Sequence, residues 1–148
     1  MVRGALPSMS GKAKILFLCT GNSCRSQMAE GFCKAMRGDE FEAFSAGIEK
    51  HGLNPHAVAV MAESGIDISS HHSKTLDDLA GVDFDLVVTV CGHADEHCPH
   101  FPGATRVIHH GFDDPPRLAL EALTEADALD CYRRVRDEIR DYMALLTV

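Results

Sequence analysis

The chain contains no run of about 18 consecutive apolar residues, which excludes a transmembrane helix. It has no excess of positive charge: the net charge is −8, which argues against a general nucleic-acid or membrane binder. No repeat, low-complexity tract or linker breaks its 148 residues, so they read as one domain with a real core. The N-terminus lacks an apolar core followed by a cleavage pattern, so no signal peptide is read. Residues 1–11 form a polar lead-in in which Met9 is a candidate alternative start, and the domain runs over 12–148. Without a secretion signal, six cysteines point to reduced thiols in a cytoplasm rather than a disulfide framework.

What is present begins with an apolar stretch, Ile15-Leu16-Phe17-Leu18, that runs straight into Cys19-Thr20-Gly21-Asn22-Ser23-Cys24-Arg25-Ser26. Cysteine, five residues and arginine, between a strand and a helix, describe an anion site. A tight loop turns its backbone N–H groups inward, and the helix N-terminus adds a positive field. Thr20, Gly21, Asn22, Ser23 and Cys24 line it, and the planar fork of Arg25 fits a tetrahedral oxyanion. That field favours the Cys19 thiolate, the attacking form of a cysteine.

Periodicity predicts strands over Lys14–Leu18, Phe41–Ser45, Leu86–Val90 and Thr105–Ile108. It predicts helices over Met28–Met36, from Pro55 to Gly65, from Thr75 to Leu79, and from Thr124 to the end. The inward stripe of the last helix reads Cys131, Val135, Ile139, Tyr142, Met143, Leu146, and Cys33 falls on the stripe of the first helix. Alternating strands and helices imply an α/β domain with a mostly parallel sheet, whose ligands bind at the C-terminal ends of the strands.

Cys91 follows the strongest strand, with Cys98 seven residues later. On a helix their Cα atoms would lie about 10.5 Å apart, at about 1.5 Å per residue. A disulfide needs about 7 Å or less. The two can therefore bond only if the segment unwinds, which Gly92 and Pro99 favour, and this is a candidate redox switch. The alternatives are a buried strand-end thiol beside a surface bystander, or a zinc site using His93, His97 and His100. His110 to Pro116 reads as a polar loop in which Asp114, stiffened by Pro115, is the candidate acid and Asp113 the neighbour to be told apart from it. An Asp-Pro pair is also an ordinary turn.

Together these residues resemble the thioredoxin-coupled arsenate reductases, which share the fold of the low-molecular-weight protein tyrosine phosphatases. The resemblance covers nearly the whole chain, from about Lys14 to the final helix, and rests on Cys19 to Gly31, Ser45-Ala46-Gly47-Ile48, His51-Gly52-Leu53-Asn54-Pro55, Val87 to Gly92, Cys98-Pro99 and Gly111 to Pro115. It implies a three-layer α/β/α domain with a four-stranded sheet. It implies that Cys19 attacks arsenate held by the loop and Arg25, and that Asp114 protonates the leaving hydroxide. Cys91 then attacks Cys19, Cys98 attacks Cys91, and thioredoxin reduces the final disulfide. Ser26 matches the hydroxyl that stabilises the nucleophilic thiolate, although a helix cap is its ordinary role. Cys24 is not expected to be required. The resemblance implies a cytoplasmic monomer with no metal or other cofactor.

The chain departs from the family at Lys74, where members that bind potassium through positions matching Asn22, Glu30 and Ser45 have an aspartate. An ammonium cannot ligate a cation, so potassium activation is not expected. Tryptophan is absent, with His110 standing where relatives often have an aromatic. A tyrosine phosphatase is the competing enzyme, but Gln27 replaces its usual proline and Pro115-Pro116 its tyrosine pair. A metal- or arsenite-binding module would leave the Cys19–Arg25 loop unexplained.

Overall fold

Side chains alternate across a strand, and the first apolar run uses both faces. Ile15, Phe17 and Cys19 enter one hydrophobic cluster, and Leu16 and Leu18 enter another. That run is β1 (Ala13–Cys19), and it is central. In a computed structural model, which describes residues 12–91 and 106–147, it is joined by β2 (Phe41–Gly47), β3 (Leu86–Cys91) and β4 (Arg106–Phe112). The sheet has the order β2-β1-β3-β4, and every pairing is parallel.

The helices are α1 (Arg25–Arg37), α2 (Pro55–Glu63), α3 (Pro115–Ala119) and α4 (Glu125–Leu145). The larger cluster buries Met28, Phe32 and Cys33 of α1, Val60 and Met61 of α2, and Val135, Ile139 and Met143 of α4. Each such side chain contributes roughly 1.5–3 kcal/mol. Over the other face, Leu76 and Leu79 of a 3₁₀ turn, with Val82, cover Leu16, Leu18 and Val87. The sheet is thus the middle of three layers, one of them thin. No helix among the described residues is long and apolar enough to cross a membrane.

The ends of the elements follow local chemistry. Asn54 caps α2, its Oδ1 accepting from the N–H groups of His56 and Ala57, with Pro55 in the first turn. Gly65, at φ +80°, leads the chain away from it. Thr124 accepts from the Asp127 N–H at the start of α4. Arg37 donates to the carbonyls of Met143 and Leu146, satisfying the C-terminal end of that helix.

Several expectations are corrected. Cys131 is only half-buried, and Tyr132, 3% exposed, takes the inward position beside it. Met36 lies in the last turn of α1 and is 41% exposed. The segment His110 to Pro116 is not one loop: His110–Phe112 belong to β4, and Pro115 and Pro116 open α3. The short α3 has no usable periodicity, and its two prolines suit a first turn as well as a loop. Thr105 lies outside the described residues.

Candidate active site

The loop between β1 and α1 is defined by where its carbonyls go. Thr20 O accepts from the backbone N–H groups of Ile48 and Glu49, Gly21 O from His51, and Ser23 O from Asn54, all at 3.0 Å. Asn22 O accepts from the Ser73 hydroxyl at 2.7 Å, and Cys24 O from Met28 N. A trans peptide points its N–H opposite to its carbonyl. Carbonyls turned outward from Thr20 to Cys24 therefore aim the N–H groups of Gly21 to Arg25 at the concave side. Donors converging in this way form a cradle suited to an anion.

Asn22 is the keystone. It is fully buried with φ at +48°, a left-handed conformation that asparagine tolerates better than most residues. Its Oδ1 accepts from Gln27 Nε2 at 3.0 Å and from Lys74 N at 2.8 Å. That orients its Nδ2 toward Ser26 Oγ at 2.8 Å. Ser26 Oγ stands 3.0 Å from Cys19 Sγ. With the Asn22 amide donating to the serine oxygen, the serine proton is placed to donate to a thiolate. Ser26 does not cap α1: Cys24 holds that position, without a side-chain cap bond. Behind Asn22, Gln27 Oε1 lies 3.0 Å from His71 Nδ1. Burial lowers the His71 pKa, with Glu30 opposing, so a neutral ring donates to Gln27. Gln27 and His71 were not identified from the sequence as site residues. The one available sign was a glutamine in the first turn of an otherwise apolar-facing helix.

Arg25 is 4% exposed, and its Nη1 donates to Phe112 O at 3.0 Å. Its Nη2 lies 3.6 Å from Asp114 Oδ1. Asp113 instead pairs with Arg134 at 3.0 Å, so the two adjacent carboxylates face different cations. Cys24 is a second thiol in the same loop. Burial, helped by Asp114 and Cys19, pushes the Cys24 thiol well up, with Arg25 opposing, and keeps it protonated. Burial likewise pushes Cys33 up to about 12.

Cys91 ends β3, next to β1, with Leu18 paired to Thr89. A bulge between Thr89 and Cys91 sets Cys91 opposite Phe112, the residue whose carbonyl holds Arg25. Cys19 and Cys91, both buried, thus end neighbouring interior strands at the C-terminal end of the sheet. Cys91 is disulfide-bonded, whereas Cys19, Cys24, Cys33 and Cys131 are free thiols. Cys98 and the intervening segment, including the candidate redox switch, lie outside the described residues. So do His93, His97 and His100. Among the described residues no cluster of His, Cys, Asp or Glu is arranged to hold a metal.

Residues 14–146 match the model of the low molecular weight phosphotyrosine protein phosphatase family. The chain is 54% identical to an arsenate reductase of Halalkalibacterium halodurans over 86% of its own length and 90% of the relative's. It is 54% identical to an arsenate reductase of Bacillus subtilis, covering 84% and 88%. Its fold matches a solved arsenate reductase in the phosphate binding state with a TM-score of 0.74 at 31% identity, covering 90% of this chain and 95% of that one. With the cradle, its arginine and its cysteine all inside the matched span, the chain belongs to the low molecular weight phosphotyrosine protein phosphatase family.

Proposed function

We propose that the protein reduces arsenate to arsenite through a relay of Cys19, Cys91 and Cys98, recycled by thioredoxin. The loop N–H groups and Arg25 bind arsenate, and the Cys19 thiolate attacks arsenic. Hydroxide leaves with a proton from Asp114, as water, and an S–As bond remains. The Cys91 thiolate then attacks Cys19 Sγ. The S–As bond breaks with its electron pair left on arsenic, which departs as arsenite, and a Cys19–Cys91 disulfide forms. Cys98 attacks Cys91, restoring the Cys19 thiolate and leaving a Cys91–Cys98 disulfide for the dithiol of thioredoxin.

One observation carries this reading: Cys19, set in an anion cradle, and Cys91 end neighbouring strands at the C-terminal end of the sheet. The similarity to arsenate reductases and the disulfide-bonded state of Cys91 support it. Incubating the reduced protein with arsenate and no reductant, then mapping disulfides by mass spectrometry, tests it. One arsenite released per protein with a Cys91–Cys98 disulfide is the expected result.

The second reading is a tyrosine phosphatase, favoured by the family match and by a loop suited equally to phosphate. Hydrolysis of an aryl phosphate without arsenite or disulfide formation would establish it. Cys91 has no part in that chemistry.

We also infer that the enzyme needs no potassium or other cofactor and works as a cytoplasmic monomer. Residues matching a potassium site do not fit the ion here. Lys74 Nζ lies 3.9 Å from Glu30 Oε1 and donates to His72 O at 3.1 Å, placing a fixed ammonium beside that carboxylate. Ser45 donates to the same Glu30 oxygen, and Asn22 Oδ1 is taken by Gln27 and Lys74 N. Potassium should therefore raise neither turnover nor melting temperature. A sedimentation measurement giving a dimer would refute the monomer reading.

A further inference from the structure

The motif His51-Gly52-Leu53-Asn54-Pro55 is only partly used by the chemistry above. Asn54 and Pro55 start α2, and Gly52, at φ +85°, makes a turn. His51 has no role yet. We propose that His51 is a positioning residue for the oxyanion loop, its imidazole pressed against Gly21 and pinned from behind by Glu49.

Three ring atoms, Nδ1, Cγ and Cε1, all lie under 3.0 Å from the point where a Cβ on Gly21 would stand. The ring and any side chain at position 21 therefore exclude one another. The φ of Gly21 is not in the left-handed range, so the glycine is required here for space. The far nitrogen of the ring, Nε2, bonds Glu49 Oε1 at 2.6 Å, which favours this ring position over one swung aside. The backbone of the same segment bonds the same corner: Glu49 N donates to Thr20 O and His51 N to Gly21 O.

The His51 side chain is 50% exposed, so core burial does not explain it. Its physical task follows from what glycine lacks. A loop with a glycine two residues past its nucleophile can flip a peptide at little steric cost. A flipped Thr20-Gly21 peptide would present a carbonyl, not an N–H, to an anion. A ring filling the space beside Gly21 opposes that flip, so the donors are aligned before the oxyanion arrives. Alignment of this kind acts on anion affinity and leaves the sulfur chemistry alone.

The proposal rests on the anion-loop reading, and it is tested with a ligand that needs no relay. Inorganic phosphate is titrated calorimetrically into the reduced protein, and arsenate kinetics are measured in parallel. His51→Ala should raise the phosphate Kd and the arsenate KM together by about tenfold, with kcat within about twofold. Gly21→Ala should weaken phosphate more. The double variant Gly21→Ala/His51→Ala should return to the level of His51→Ala alone, because the clash partner is gone. Glu49→Gln should give a smaller rise that vanishes in the His51→Ala background.

An unchanged phosphate Kd in His51→Ala, with only a lower Tm, would overturn the proposal. Additive losses in the double variant would do the same. If phosphate binding responds as expected but no arsenite forms, the positioning role stands and the relay reading fails. If the wild-type protein binds no phosphate, the anion loop and this proposal fall together.

Discussion

Two carboxylates in this molecule each sit between two cations, and they do different work. Glu30, 5% exposed, has Lys34 at 2.6 Å and Lys74 at 3.9 Å, and accepts from Ser45. Glu63, its side chain 39% exposed, has Arg133 and Arg136 at 2.8 Å each and joins α2 to α4. Burial opposes the charge of Glu30, yet Lys34, Ser45 and Lys74 outweigh it and lower its pKa. Glu63 is lowered to about 2, chiefly by the Arg133 hydrogen bonds; burial opposes them, and Arg136 adds to the lowering. The second cluster fastens two helices at the surface, where ion pairs count for little. The first stands behind the Cys19–Arg25 loop, because the backbone of Lys74 is bonded to Asn22 Oδ1 and Gly47 N. Charge near the loop is thus structural scaffolding for a polar site, and charge on the seam is trim.

The sharpest way to break the comparison is to remove the link between the buried cluster and the loop. Asn22→Ala leaves Gln27 Nε2 and Lys74 N without their shared acceptor and Ser26 without its donor. It should cost about 3 kcal/mol in denaturant unfolding, and arsenate turnover should fall by at least about a hundredfold. Lys74→Met comes next. Glu30 keeps Lys34 but loses its second ammonium, and stability should fall by about 1–2 kcal/mol. A neutral result there would mean that the Glu30 cluster is no more demanding than the surface one.

Smaller effects are expected at the seam. Arg133→Ala should leave arsenate kinetics unaltered and shift the melting temperature little, since Arg136 still holds Glu63. A large loss of activity would show that the seam communicates with the loop. The pH response sharpens the same contrast. A carboxyl whose folded pKa is lowered adds stability above its unfolded value and loses it as pH falls through the folded one. The Glu63 contribution is therefore complete above the ordinary glutamate value of 4.5 and disappears as pH falls through about 2. Carboxyl carbon NMR of Glu63 during acid titration should give a midpoint near the lower figure. A midpoint at the ordinary value would mean the seam is not formed in solution.

Much of this was legible beforehand because short-range patterns carry it. The unbroken apolar run Ile15 to Leu18 pointed to a buried strand, and that strand is central, with both faces covered. Pro55 and Gly65 bracket α2 as their backbone preferences dictate. The Cys19–Arg25 spacing marked the loop between β1 and α1, and Arg25 opens that helix. Errors arose where neighbours decide. Cys131 and Tyr132 are adjacent on α4, and a one-residue rotation of the helix exchanges which is buried. Asp113 and Asp114 are chemically identical, and only Arg25 and Arg134, arriving from different helices, separate them.

By itself the sequence determined the order of the strands and of the longer helices, the parallel sheet and the position of the Cys19–Arg25 loop, since these follow from periodicity, turn chemistry and contiguous residues. Only the tertiary structure decided what holds that loop open. Its carbonyls are taken by residues 48, 49, 51, 54 and 73, and Asn22 is oriented by Gln27 and Lys74. Those partners lie up to 52 positions away, and no local rule of propensity or spacing encodes a hydrogen bond made across the fold.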